Sequence, residues 1–115
     1  MSKKSHTECS SSLLPIRDAL DVISGKWKLQ IIISIGSGNK RFREIERSIP
    51  KITSKVLAKE LKDLEVHLLI KRTVYDDSPV LVEYTLLPYA NTLKKVIKSL
   101  NDWGLQHRKK IIAKK

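Results

Sequence analysis

The sequence reads as one mainly α domain carrying a single β-hairpin, an α+β layout with helices first, then two strands, then a long last helix. Three observations lead there. Apolar residues recur at three- and four-residue steps through much of the chain, the pattern of amphipathic helices. Two runs rich in β-branched and aromatic residues, Leu69–Tyr75 and Val80–Leu86, flank the turn cluster Asp76-Asp77-Ser78-Pro79, as a hairpin would. A length of 115 residues with 41% hydrophobic and 30% charged residues provides for one compact core and leaves little for a second.

Residues 1–12 are polar and serine-rich and are expected to form a flexible arm ahead of a folded domain over 13–113. From Pro15, which suits a first helical turn, Ile16, Ala19, Leu20 and Ile23 keep helical spacing until Gly25 stops it. A second helix is expected over about 26–35, with Trp27, Ile31, Ile32 and Ile35 apolar, closed by Gly36-Ser37-Gly38-Asn39. A third, about 40–48, gathers Phe42, Ile45 and Ile49 on one face before Pro50. Thr53 or Ser54 can cap a fourth helix running to about Val66. There Leu57, Leu61, Leu64 and Leu68 make one stripe and Lys55, Lys59 and Lys62 another. Positions 55 and 57 lie about 160° apart around the axis, so the two stripes face opposite ways. After the hairpin, Pro88 opens a helix to about Ile112, with Leu93, Val96, Ile97, Leu100, Trp103, His107 and Ile111 at helical spacing.

Charge narrows the partners. Lys and Arg number 23 against 12 acids, a formal net charge of +11, which favours polyanions. Residues 26–62 hold ten of those cations and three acids, a local net of +7. Aromatic residues are only 5%, too few for a surface that stacks single-stranded bases. One cysteine, Cys9, excludes an internal disulfide, and with three scattered histidines it cannot build a zinc site, so no metal or cofactor is expected. No apolar run approaches the ~18 residues that span a bilayer. The polar stretch after Met1–Lys4 lacks the hydrophobic segment of an export signal, and a cytoplasmic location is expected. Gly36–Lys40 lacks the spacing of a phosphate loop and follows a helix, so it reads as a helix stop. Paired carboxylates, a nucleophile elbow and a metal cluster are all missing from the pattern, which argues against an enzyme.

Helix, helix, helix–turn–helix, hairpin, helix is the order of a winged helix-turn-helix domain. In that reading the helix over about 53–66 enters the major groove of double-stranded DNA and the wing, about 69–86, lies on the backbone. The sequence also resembles the HxlR family of bacterial regulators. Gly25-Lys26-Trp27, Arg41-Phe42-Arg43-Glu44-Ile45, Lys59-Glu60-Leu61-Lys62-Asp63-Leu64-Glu65, Arg72 with Tyr75, Pro79, Val82-Glu83-Tyr84 and Trp103 stand in the family's order across about residues 14–107. The resemblance implies a homodimeric transcription factor whose N- and C-terminal helices meet at the two-fold axis. Some members carry a sensing thiol just before the proline that here is Pro15. Leu14 holds that position, and the only redox candidate is Cys9, five residues upstream. The family's capped start of the last helix reads Leu86-Leu87-Pro88-Tyr89-Ala90, and the usual Pro-Pro of the wing reads Pro79-Val80.

The DNA-contact candidates follow. Lys55, Lys59 and Lys62 suit phosphates, against the plainer reading of a solvated helix face. Ser54 and Lys55 stand where base edges are read, and Thr53 is first a cap. Arg41 stands at the start of the helix pair and Lys51 in its turn; Arg41 could equally hold an ion pair. Lys71 and Arg72 on the wing suit the backbone, while Asp76 and Asp77 at its tip oppose deep insertion into the minor groove. Lys26 and Lys28, beside a core Trp27, are phosphate neighbours at most. Ile16, Leu20, Ile23, Leu93, Ile97, Leu100 and Trp103 offer more apolar helix face than one small core consumes, which suggests a homodimer. The alternatives left open are a non-specific or architectural nucleic-acid-binding protein and a winged helix that binds protein. The operator and any small-molecule effector are not named by the sequence.

Overall fold

A computed structural model of the chain describes residues 6–76 and 78–113, with side chains from residue 13 onward. Its elements run α1 (His6–Ile23), α2 (Lys28–Gly36), α3 (Phe42–Ser48), α4 (Ser54–Val66), β1 (Ile70–Tyr75), β2 (Leu81–Leu86), a 3₁₀ segment (Pro88–Leu93) and α5 (Lys94–Ala113). The strands form one antiparallel hairpin in which Ile70 faces Leu86 and Tyr75 faces Leu81. A backbone bond from Tyr84 N–H to the Lys40 carbonyl (2.7 Å) ties the second strand to the segment before α3.

The core is built where the periodicity places it. Ile31, Ile32 and Ile35 of α2, Ile45 of α3, and Leu57, Leu61 and Leu64 of α4 close on Leu69, Ile70 and Tyr84 of the hairpin. Trp27, at the N-cap of α2, packs against this cluster from its edge, with the Lys26 ammonium 4.8 Å from its ring centre. Inside the cluster Ser34 is buried, and its hydroxyl meets Ser48 Oγ at 2.6 Å and Asn39 Nδ2 at 3.1 Å. That satisfies a polar group which would otherwise be costly to bury. Local signals set the helix ends. Gly38, at φ +112, lets the chain leave α2, and Thr53 Oγ1 accepts the Val56 N–H at 3.2 Å to start α4.

Four expectations need correction. Pro15 lies inside α1 rather than in its first turn, because the helical backbone already includes His6–Ser12, seven residues of the expected arm; residues 1–5 lie outside the described residues. Leu68 does not continue the leucine stripe. Its φ of +64 ends the helical run after α4 and turns the side chain outward, 65% exposed. Pro88 opens a 3₁₀ segment, and α-helical geometry begins only at Lys94, so Leu93 precedes the helix to which it was assigned. Lys28 is no phosphate neighbour: its ammonium sits 2.7 Å from Glu60 Oε1 and 3.5 Å from Asp63 Oδ2, pinning α2 to α4.

At the ends of the chain the packing is thin. No residue of α5 is fully buried, and Leu13, Leu14, Ile16 and Leu20 of α1 lie exposed. The radius of gyration is 18.0 Å, where a compact chain of this length has about 13 Å.

Candidate nucleic-acid interface

Helix α4 presents two opposite faces. Leu57, Leu61 and Leu64 are fully buried, while Lys55, Lys59 and Lys62 are exposed. Lys59, 75% exposed, comes within 3.9 Å of Asp63, a contact too open to hold its charge. The leucines anchor the helix axially and rotationally, and that anchoring aims the lysines outward as a row of point charges.

The start of α4 is more constrained than its sequence suggests. Thr53 serves as the cap. Ser54 donates its hydroxyl to Glu46 Oε2, which joins α3 to α4 and occupies the side chain expected to read bases. Lys51, in the turn between the two helices, is exposed and takes φ +69, a left-handed conformation that bends the chain sharply there.

Neighbouring residues on a strand alternate in direction, and the wing separates its two cations accordingly. Arg72, paired in register with Tyr84, lines a cleft between β1 and α4 together with Lys62 and Glu65. Lys71 takes the alternate strand direction, opposite Thr85. Asp76 is exposed at the tip, and Asp77 lies outside the described residues.

Arg41 is the N-cap of α3, and the helix start there is organised by a carboxylate. Glu44 Oε1 accepts the Arg41 N–H at 3.0 Å and the Lys40 N–H at 3.1 Å. These two bonds, the Arg41 one foremost, hold the Glu44 carboxyl below its ordinary range. Arg41 remains exposed, and Arg43 and Arg47 line the same cleft beside it. The sequence reading passed over those two, although their i, i+4 spacing on a short amphipathic helix was a legible signal.

The residues expected at a two-fold interface divide. Ile16, Leu20, Leu100 and Trp103 are exposed, Ile23 is half-buried, and Leu93 and Ile97 pack against the core. Trp103 stacks on His107 with ring centres 4.9 Å apart. The Cys9 side chain lies outside the described residues, and no group of three or more His, Cys, Asp or Glu among the described residues could hold a metal ion. Among them, too, no helix is long and apolar enough to cross a membrane.

A trihelical core with a two-stranded wing and a lysine-faced second helix of the turn defines a winged helix-turn-helix regulator. Comparison with known proteins agrees and goes one step further. The HxlR-like helix-turn-helix family model matches residues 22–111, and the chain belongs to that family. The uncharacterised HTH-type transcriptional regulator YdeP of Bacillus subtilis is 39% identical over 97 residues, covering 84% of this chain and 76% of YdeP. Among solved structures, the reduced form of the redox regulator HypR superposes with a TM-score of 0.78 at 35% identity, covering 86% of this chain and 98% of HypR. A regulator from Enterococcus faecalis assigned to the MarR family superposes with a TM-score of 0.75 at 34% identity, covering 97% of this chain and 99% of that one. The chain is thus a DNA-binding transcriptional regulator of HxlR type, in a family of regulators rather than enzymes.

Proposed function

We propose that this regulator acts in the cytoplasm as a homodimer that reads a pseudo-palindromic operator, with α4 in the major groove and the wing on the flanking backbone. The observation that carries the reading is the two-faced α4, whose buried leucines fix an exposed row of Lys55, Lys59 and Lys62. Lysines on phosphates supply affinity and register, and base choice then falls to the first turn of α4, to Lys55 and to Ser54, whose hydroxyl oxygen can still accept while its proton is donated to Glu46. Arg72 and Lys62, sharing one cleft, hold the strand that passes between helix and wing. Lys51 and Arg41 extend the cationic track on either side of α3, and Lys71 meets the backbone from the other face of the wing.

The apolar residues left exposed on α1 and α5, Ile16, Leu20, Leu100 and Trp103 among them, supply the two-fold interface, with Ile23 at its edge. Leu93 and Ile97 support it from the core side. Two recognition helices then fall about 34 Å apart, one helical turn of DNA. Any small-molecule effector is of unknown chemistry.

The test is a fluorescence-anisotropy titration of the duplex flanking the gene against a scrambled duplex, at two salt concentrations. Saturation at two chains per site with a preference of ~10³ or more is the expected result. Equal and steeply salt-dependent binding to both duplexes would leave a non-specific, electrostatic binder instead.

A further inference from the structure

A cleft of about 420 Å³ separates α3 from the beginning of β2, and the residues that line it include three arginines, Arg41, Arg43 and Arg47. Guanidinium groups stay charged at any pH the fold tolerates, so three lining one cleft repel one another mildly across solvent and favour an anion among them. None of the three makes an ion pair among the described residues. The one acid in the cleft, Glu44, is turned back on the start of its own helix, where the N–H groups of Lys40 and Arg41 hold its carboxylate. Across the cleft stand Val80 and Val82, apolar side chains that hydrate poorly and strengthen the field of the charges opposite.

The place of the cleft in the fold says what could enter it. Through the Ser54–Glu46 bond, the C-terminal half of α3 is fastened to the first turn of α4. Through Val80 and Val82, the same helix borders the tip-proximal end of the wing. So α3 bridges the two elements that the DNA-binding reading sets on the duplex. Asp76, exposed at the tip beyond Tyr75, opposes a phosphate there and makes no ion pair with the three arginines.

We propose that this cleft is a phosphate-binding site, in which the forks of Arg43 and Arg47 take phosphate oxygens and Arg41 closes one side. Planar guanidinium groups match phosphate oxygens in pairs, which a lysine cannot do. Two sources offer that chemistry, the backbone of a bound duplex and a free phosphorylated molecule. The bridging position of α3 favours the backbone, and in that form the inference rests on the DNA-binding reading above.

The experiment measures the salt dependence of binding to a mixed-sequence duplex for the full chain and for Arg43→Gln, Arg47→Gln, the double variant and Lys59→Gln. Calorimetric titration of the same proteins with pyrophosphate runs in parallel. All three positions are exposed, so thermal melting is expected to be unchanged, and Arg43→Lys with Arg47→Lys should keep the salt slope while loosening the site. Each arginine that meets the backbone should flatten the slope of log K against log salt by about 0.9 when replaced by glutamine. Pyrophosphate binding that the double variant abolishes, with an unchanged duplex slope, would overturn the backbone as the source and assign the cleft to a free phosphate. If neither readout responds to the arginines while Lys59→Gln does flatten the slope, the cleft is not a phosphate site and the DNA-binding reading survives. A slope unmoved by Lys59→Gln as well would count against that reading itself.

Discussion

The ammonium of Lys28 lies 2.7 Å from Glu60 Oε1, with 12% of the lysine side chain and 10% of the glutamate side chain exposed. That hydrogen bond, more than any other influence, raises the lysine pKa above its ordinary 10.5. The stability it contributes is fully present below pH 10.5 and is lost as pH rises through the raised value. Replacing Lys28 with methionine leaves the Glu60 carboxylate nearly buried without its partner. We expect a loss of about 2–4 kcal/mol by urea denaturation at neutral pH, and recovery of most of it when Glu60→Leu is added. Glu44 works in the opposite direction on the acid side. Its lowered pKa contributes stability that is present above the ordinary 4.5 and lost as pH falls through the lowered value. A Glu44→Gln variant should therefore lose that acid limb of the stability profile while retaining the alkaline one, as urea midpoints across pH would record. Lys28 also shows where residue-level reading of a sequence stops. Flanking Trp27 among other cations, it has the appearance of one more phosphate ligand, and only the packing of α2 on α4 brings two acids from 32 and 35 positions away to neutralise it.

Helix α4 was legible because all its determinants are local: a threonine cap, a leucine stripe, and lysines on the far side. Its observed span, Ser54–Val66, matches the expected one for that reason. Thr53→Ala should cost about 1 kcal/mol by removing the bond to the Val56 N–H, measured as a shift in urea midpoint with unchanged slope. Lys59→Glu should weaken binding to specific and scrambled duplexes alike and flatten the salt dependence, because an exposed lysine carries charge rather than sequence information. Anisotropy at two salt concentrations checks this. A change confined to one sequence would instead make Lys59 a base reader. Elements whose ends depend on distant contacts were less legible. The start of the last helix depends on how Pro88, Ala90 and Leu93 turn onto the core, and Ala90 is buried there. Pro15 looked like a helix start because the residues before it offer no apolar periodicity, yet the helical backbone continues through it. The Ser54–Glu46 bond joins side chains eight residues apart on two different helices, which no local pattern announces.

For the whole molecule, the decisive quantity is apolar surface without a partner. The first and last helices leave Ile16, Leu20, Leu100 and Trp103 between 48% and 63% exposed, while the core of the monomer is complete without them. Exposed apolar faces of this kind mark places where another surface docks, and the two-fold arrangement proposed above would cover this one. Because the core does not depend on these residues, Leu20→Glu and Trp103→Glu should each leave the far-ultraviolet circular dichroism spectrum intact. Each should shift the molar mass from light scattering from two chains to one. The same face supplies an optical report. In a Trp27→Phe background the emission of Trp103 should move to longer wavelength on dilution as the dimer separates and the indole meets water. Loss of the dimer should also cost DNA affinity without touching any DNA contact, since two half-sites bound by linked chains gain from effective concentration what two separate monomers do not. The monomeric variants should therefore bind a single half-site as the full chain does and lose the advantage of the paired site. Equal loss on half-site and paired site would place Leu20 and Trp103 in DNA contact or in folding, and would remove the argument for a two-fold arrangement altogether.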